Sequence, residues 1–371
     1  MQFRPIAIYL PQFHPIPEND EWWGKGFTEW TKVTKAKPLF KGHYQPHLPA
    51  DLGFYDLRLP EVREQQAQLA KEYGIYGFCY YHYWFNGKRI LERPFQEIFE
   101  SGKPDFPFML CWANENWTKI WDGGENNILL KQNYSEEDDR LHMRSLIPYF
   151  KDKRYIKINN KPVVAIYRST LLPDPKNTLN IWREEANQQG LELYITRFES
   201  FGSEGTEYLK VGFDAAIEFQ PHKTIVDINQ KLNRSLKKRL YDKLNDKLKK
   251  VGLNYNDIYK NQIIDYKKFI KTSMDTAYNK KDYKKYRCVM PGFDNTARKK
   301  NDYVLLKGST PALFETWCIQ VLSNFKPYSK EENLFFINAW NEWAEGNHLE
   351  PCSKWEHGYL EAFKRALKAF T

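Results

Sequence analysis

Eight apolar runs of strand length recur along this 371-residue chain, and their spacing limits what it can fold into more than any other feature. They are Arg4–Leu10, Ile75–Trp84, Phe106–Trp112, Pro162–Tyr167, Leu193–Phe198, Ala215–Phe219, Cys288–Phe293 and Leu334–Trp340. Most are continuous rather than alternating, which is the pattern of strands buried on both faces of a parallel sheet. Between them lie segments with helical periodicity: Leu59–Tyr73, Pro94–Ser101, Glu136–Phe150, Leu179–Gln189 and Pro311–Phe325. Strand and helix alternating over eight units predict a (β/α)8 TIM barrel, α/β in class, formed by residues 1–371 as a single domain. A doubly wound sheet is the competing arrangement, weakened by the lack of a Gly-x-Gly-x-x-Gly turn after any strand.

A barrel of this kind builds its site from loops at the C-terminal ends of the strands. Polar and aromatic residues stand at those ends throughout. The first strand leads to Gln12 and His14, the second carries Tyr81 and His82, and the third runs into Trp112, Asn114, Glu115 and Trp117. Glu218 and His222 follow the sixth, and Asn341 and His348 the eighth. Turn chemistry alone enriches strand ends in polar residues, but agreement at all eight ends is hard to obtain from turns alone.

Aromatic residues make up 16% of the chain, more than packing calls for, and imply a site lined with rings. Sugar and nucleobase stacking both fit that composition. The five cysteines, at positions 79, 111, 288, 318 and 352, are scattered through apolar runs and read as reduced core thiols. With no export signal at the start and no apolar run of spanning length, a cytoplasmic protein without a transmembrane helix is expected.

Two insertions interrupt the repeat. Pro15 to Gly53 after the first strand is far longer than an ordinary βα connection and is rich in Trp, Phe and His, so it is either part of a site or an aromatic plug in the barrel mouth. The second, from about Lys223 to Tyr286, holds 16 Lys and 2 Arg against 7 Asp, a net of +11 in a chain whose total is +9. Leucines four apart around Ile228 to Leu253 suit an amphipathic helix with a solvated basic face. Contact with an anionic membrane is the functional alternative. Nucleic acid is not expected, because the Arg-aromatic signatures of the common modules are absent. No metal or other cofactor is expected either: the eight histidines form no helical His-x-x-x-His pair, and no Cys-x-x-Cys or Asp-x-Asp occurs.

The densest chemistry is in Asn338-Ala339-Trp340-Asn341-Glu342-Trp343-Ala344-Glu345-Gly346, where a strand delivers two carboxylates into a Gly-terminated loop. Paired carboxylates are the simplest apparatus for a glycosidic bond, one moving a proton and the other serving as nucleophile or base. The same spacing also serves helix capping. Trp340, Trp343 and Trp355 flank the pair, as rings that stack on sugars and desolvate an acid would.

At Ala7 to His14, Tyr80 to Trp84, Trp112 to Trp117 and above all Asn341 to Gly346, the chain resembles the WbsX-like glycosyltransferase family, itself similar to the endo-α-mannosidases of glycoside hydrolase family 99. The resemblance implies a (β/α)8 barrel and, for the bacterial synthetic branch, a place in making O-antigen or capsular polysaccharide. It implies that Glu342 deprotonates the sugar's own 2-hydroxyl to give a 1,2-anhydro intermediate and that Glu345 is the general acid/base. In the hydrolase branch the run is Glu-Trp-His-Glu-Gly, and here Ala344 stands where the His is expected. The expected reaction is retaining and metal-independent at an α-linked, manno-configured residue. Trp112, Trp117 and Tyr81 are expected to stack on rings, and Gln12, His82, Asn114, Glu115 and Asn341 to read hydroxyls. The substrate is expected to be an oligosaccharide or lipid-linked glycan, with hydrolysis, or glycan binding without catalysis, as the alternatives.

Overall fold

The computed structural model describes residues 3–118, 128–199, 210–233, 261–277 and 283–370. Its centre is a ring of parallel strands: β1 (Arg4–Tyr9), β2 (Gly77–Phe85), β3 (Phe108–Trp112), β4 (Lys161–Ile166), β5 (Tyr194–Glu199), β6 (Ala215–Glu218), β7 (Lys285–Tyr286 and Cys288–Val289) and β8 (Leu334–Ile337). Neighbours in sequence are neighbours in the sheet, and β8 returns to β1 through Arg4↔Leu334 to Ala7↔Ile337. The seventh strand is split at Arg287. Its first half pairs with β6 and its second with β8, so nine parallel segments make an eight-stranded, nearly closed barrel.

Burial explains why the strands read as unbroken apolar runs. All but the first residue of β1 and every residue of β3, β5, β6 and β8 are buried, because side chains alternate between the barrel interior and the surrounding helices. On the side facing helices Pro60–Glu72 and Arg93–Ser101, Tyr9, Tyr80, Phe78 and Trp340 pack ring against ring at tilted angles with centroids 4.5–5.1 Å apart. At the start of β2 only glycine fits: a Cβ on Gly77 would lie 2.6 Å from the Pro107 carbonyl oxygen.

The helices begin where local chemistry stops the strands. Pro60–Glu72, Pro175–Asn187 and Pro311–Asn324 carry proline at the first turn, where no N–H is needed. Ser135, Asp174 and Thr310 cap their helices by accepting from Asp138, Asn177 and Leu313 N–H. Helices Arg93–Ser101 and Glu136–Phe150 complete the set expected from periodicity. The last helix, Gly358–Lys368, helix Tyr266–Ala277 in the basic insertion, and two short ones in the first insertion, Pro17–Trp23 and Glu29–Val33, fall outside that set. The short pair has too few turns to show a period.

The seventh strand is also displaced from its expected span. Residues 290–293, inside the expected strand Cys288–Phe293, form the loop that leaves it, and the pairing begins at Lys285 instead. Of the basic insertion, helices His222–Asn233 and Tyr266–Ala277 and strand Gln262–Asp265 are described, while most of the expected amphipathic helix over Ile228 to Leu253 lies outside the described residues. Among the described residues no helix is long and apolar enough to cross a membrane.

Candidate active site

The segment after β8 is held so that its two carboxylates face one way. Asn341–Glu342 pairs antiparallel with Asn347–His348, and the four residues between are a 3-10 turn closed by Gly346 at φ 54°. That backbone conformation favours glycine, and a Cβ there would meet Asp294 Cβ at 3.0 Å and the His47 ring at 3.2 Å. Asn341 clamps the segment to the end of β1, donating to the Leu10 carbonyl (3.0 Å) and accepting from Leu10 N–H (2.8 Å). Below the turn, the buried Glu350 carboxylate accepts from Tyr55 Oη (2.8 Å), Gln66 Nε2 (2.6 Å) and Trp343 Nε1 (2.6 Å).

Three loops then converge on one guanidinium. Arg298, just past the 3-10 turn that follows β7, donates through Nη1 to Glu345 (2.7 Å) and through Nη2 to Glu342 (2.8 Å) and Glu29 (2.5 Å). Glu29 opens the second short helix of the first insertion and also accepts from Ala344 N–H at 2.9 Å, tying that insertion to the carboxylate turn. One permanent cation thus faces three acids, whose side chains are 2% (Glu29), 8% (Glu342) and 25% (Glu345) exposed. Burial pushes Glu342 up to about 8, with Arg298 opposing and Glu345 and Glu29 adding to the rise. Burial likewise raises Glu345 against the pull of Arg298. The pair therefore titrates as a unit and retains a proton near neutrality.

Glu342, Glu345, Glu29 and Arg298 line a cavity of about 300 Å³ at the C-terminal mouth of the barrel. Its walls are aromatic: Trp23 and Phe27 from the first insertion, Tyr81 and Tyr83 from β2, Trp117, Tyr167, Phe219 and Phe293. Two asparagines bring unsatisfied polarity to it. Asn19 is fully buried with neither amide atom hydrogen-bonded, and Asn338 donates to the Gln220 carbonyl while its Oδ1 has no partner. Such groups call for a hydroxyl or a water.

Of the residues singled out from sequence, Gln12, Tyr81, Glu115, Trp117, His222, Glu342 and Glu345 line this cavity. Glu115 is ion-paired with Arg168, and burial holds its carboxyl above the usual range despite that partner. The others stand behind the wall. Trp112 is 1% exposed and packs on Trp182 and His142, so it has no free face for a sugar ring. His82 is buried against His142 with their Nε2 atoms 3.1 Å apart. Asn114 is taken up by the backbone of Arg168, and Glu218 by Arg287 and Gln220. His14 is 1% exposed, and Asn341 is committed to β1 as described. His348 stacks on Trp343, donating from Nδ1 to the Glu350 carbonyl and accepting at Nε2 from His47. Trp340 and Trp343 belong to the core rather than to a sugar platform, and Trp355 lies elsewhere. Among the described residues no group of three His, Cys, Asp or Glu side chains is arranged to hold a metal ion.

The residues not anticipated are Arg298, Glu29, Tyr83, Asn19 and Asn338. Thr296-Ala297-Arg298-Lys299-Lys300 reads in sequence as a solvated basic run, and Glu29 as a first-turn helix acid. Asn338, three residues ahead of Asn341 in the same motif, and Tyr83, inside the Tyr80 to Trp84 run, carry a local signal; the others carry none.

Acid side chains among rings at the mouth of a (β/α)8 barrel are the architecture of carbohydrate-active enzymes. The chain belongs to the glycosyltransferase WbsX family, which it matches over residues 5–363. Two Xanthomonas campestris pv. campestris proteins, each called uncharacterized protein WxcX, are 37% identical to it over 364 residues, 98% of this chain. The chain spans about half of their length, 49%. Among solved structures, a glycoside hydrolase-like protein superposes with a TM-score of 0.59 at 13% identity, covering 99% of this chain and 94% of that one. The GH99 endo-alpha-mannosidase of Bacteroides thetaiotaomicron, in complex with BIS-TRIS-propane, gives 0.56 at 12% identity over 99% and 97%. At such identities the likeness is one of fold.

Proposed function

We propose that the cavity makes or breaks an α-linked, manno-configured glycosidic bond with retention, as a glycosyltransferase acting on an oligosaccharide or lipid-linked glycan in O-antigen or capsular polysaccharide synthesis. One observation carries the reading: Glu342 and Glu345 meet on the same guanidinium at the floor of a ring-lined cavity. In the proposed reaction Glu342 takes the proton of the sugar 2-hydroxyl as O2 attacks C1 and the C1 bond to the leaving oxygen breaks. Glu345 gives that oxygen its proton. An acceptor hydroxyl then opens the 1,2-anhydro ring at C1, losing its proton to Glu345 while Glu342 returns one to O2. Two inversions leave the configuration retained, and no metal or other cofactor enters the scheme.

The raised Glu342 supports its part, since a carboxylate whose conjugate acid lies near 8 is a stronger base than an exposed one. Trp117, Tyr81 and Tyr83 offer half-buried faces to the ring, and Gln12, Asn19 and Asn338 offer polar atoms to its hydroxyls. Five free, buried cysteines suit the reducing cytoplasm. Contact of the Lys-rich stretch with anionic lipid belongs to the same proposal, and flotation with anionic vesicles at low salt tests it.

Glu342→Gln and Glu345→Gln, assayed with manno-configured donors, should each lower turnover on the order of 100-fold or more while sugar binding persists. Analysis of the product distinguishes a sugar acceptor from water, and hence transferase from endo-α-mannosidase-like hydrolase. Unchanged turnover in both variants removes the carboxylate mechanism, and binding with no turnover in any form leaves a glycan-binding barrel.

A further inference from the structure

A second cavity of about 250 Å³ opens beside the first, and nothing in the proposed reaction uses it. The wall between them is thin and specific. Phe293 lines both, Glu345 faces the first and its neighbour Gly346 the second, and Asp294 N–H donates to the Glu345 carbonyl at 2.5 Å to close the partition. Its far side is built by the first insertion and by the chain after His348, so both cavities share the C-terminal mouth.

The polar groups deep inside are already satisfied. His43 accepts from Leu39 N–H at Nδ1 (3.0 Å) and therefore donates from Nε2 to Asp294 (2.7 Å), whose other oxygen takes Thr296 N–H (3.0 Å) and hydroxyl (2.6 Å). Ser309 and Tyr359 hydrogen-bond each other at 2.7 Å. What remains uncommitted is at the rim. Lys354 Nζ lies 4.3 Å from the Tyr44 ring centroid and 5.1 Å from that of Trp355, and Lys307 Nζ lies 5.9 Å from that of Phe40. Both lysines are exposed, and among the described residues neither is ion-paired. Half-buried rings beneath unpaired ammonium groups offer stacking for a sugar ring and charge for an anion on it.

We propose that this second cavity is a subsite for a sugar residue bearing an oxyanion, a carboxylate or a phosphate, in a glycan whose neighbouring residue occupies the first cavity. The assignment of sugar to the first cavity rests on the function proposed above. The subsite itself is defined by Lys307, Lys354, Tyr44 and Trp355.

Calorimetric titration of the full chain at low salt with glucuronate, glucose 6-phosphate and glucose tests it directly. At least one of the two anionic sugars should bind about tenfold more tightly than glucose, the scale expected of two rim charges acting on one anion. Which of them does so identifies carboxylate or phosphate. The preference should vanish in the Lys307→Ala/Lys354→Ala double variant, whose changes are at exposed positions that leave folding intact, and persist in Glu342→Gln. No preference in the unmodified chain, a preference that survives the double change, or one lost in Glu342→Gln overturns the proposal. Because the readout is binding, failure of the carboxylate mechanism would show in turnover and leave this result standing.

Discussion

Arg298 is the residue on which the proposed carboxylate chemistry turns. Three acids gathered in a buried space repel one another, and the single guanidinium lowers the cost of ionising any of them. Arg298 acts through Glu342 and Glu345, so it is a positioning residue, and pH dependence is where its role shows. The proposed reaction starts with Glu342 ionised and Glu345 protonated. Burial raises both carboxyls and the pair keeps its last proton up to about 8, so the rate should climb with pH as the first proton leaves and fall above about 8 as the last one does. Replacing Arg298 by Ala removes the charge that lowers both acids. The rising limb should move to higher pH and turnover should drop on the order of 100-fold, while Arg298→Lys keeps part of both. A pH profile identical to that of the unmodified chain would show that the guanidinium only fills space.

At the scale of the element, the decisive piece is the turn from Glu342 to Gly346. Its register is set by Asn341 on β1, by Glu350 beneath it and by Glu29 on Ala344 N–H. Gly346 closes it where a side chain would strain the backbone and press on Asp294 and His47. Gly346→Ala is therefore expected to cost about 1–3 kcal/mol of stability and to lower kcat more than it changes KM, because Glu345 is displaced before substrate binding is. Thermal melting and steady-state kinetics read both; a melt unchanged from the parent would mean that the turn relaxes freely.

For the whole molecule, the barrel places the first insertion, the loop after β7 and the turn after β8 around one mouth, though Glu29 of the first lies 269 positions from Arg298 of the second. The prediction at this scale concerns the substrate as a rigid object. Attack by O2 on C1 needs that oxygen opposite the leaving group, which α-manno and α-rhamno configurations supply and α-gluco does not. A cationic manno-configured mimic should thus bind more tightly than its gluco counterpart by about tenfold or more, measured by calorimetry, with the difference reduced in Glu342→Gln. Equal affinity would sink the sugar assignment.

Periodicity by itself marked the barrel strands, the seventh with its bounds displaced, and the five helices expected between them, because a strand buried on both faces has to be apolar throughout and a helix packed on it has to carry a stripe. The carboxylate turn was legible as well, since two acids beside Gly346 form a local pattern. Tertiary structure decided which neighbours matter. Arg298 and Glu29 are 269 positions apart and meet only because two loops fold over the same mouth, so no local pattern could pair them. It also decided that Trp112, His82, Asn114 and Asn341 point away from the cavity. At a strand end a rotation of one residue separates the cavity from the core, and the side chain that packs best takes the inside.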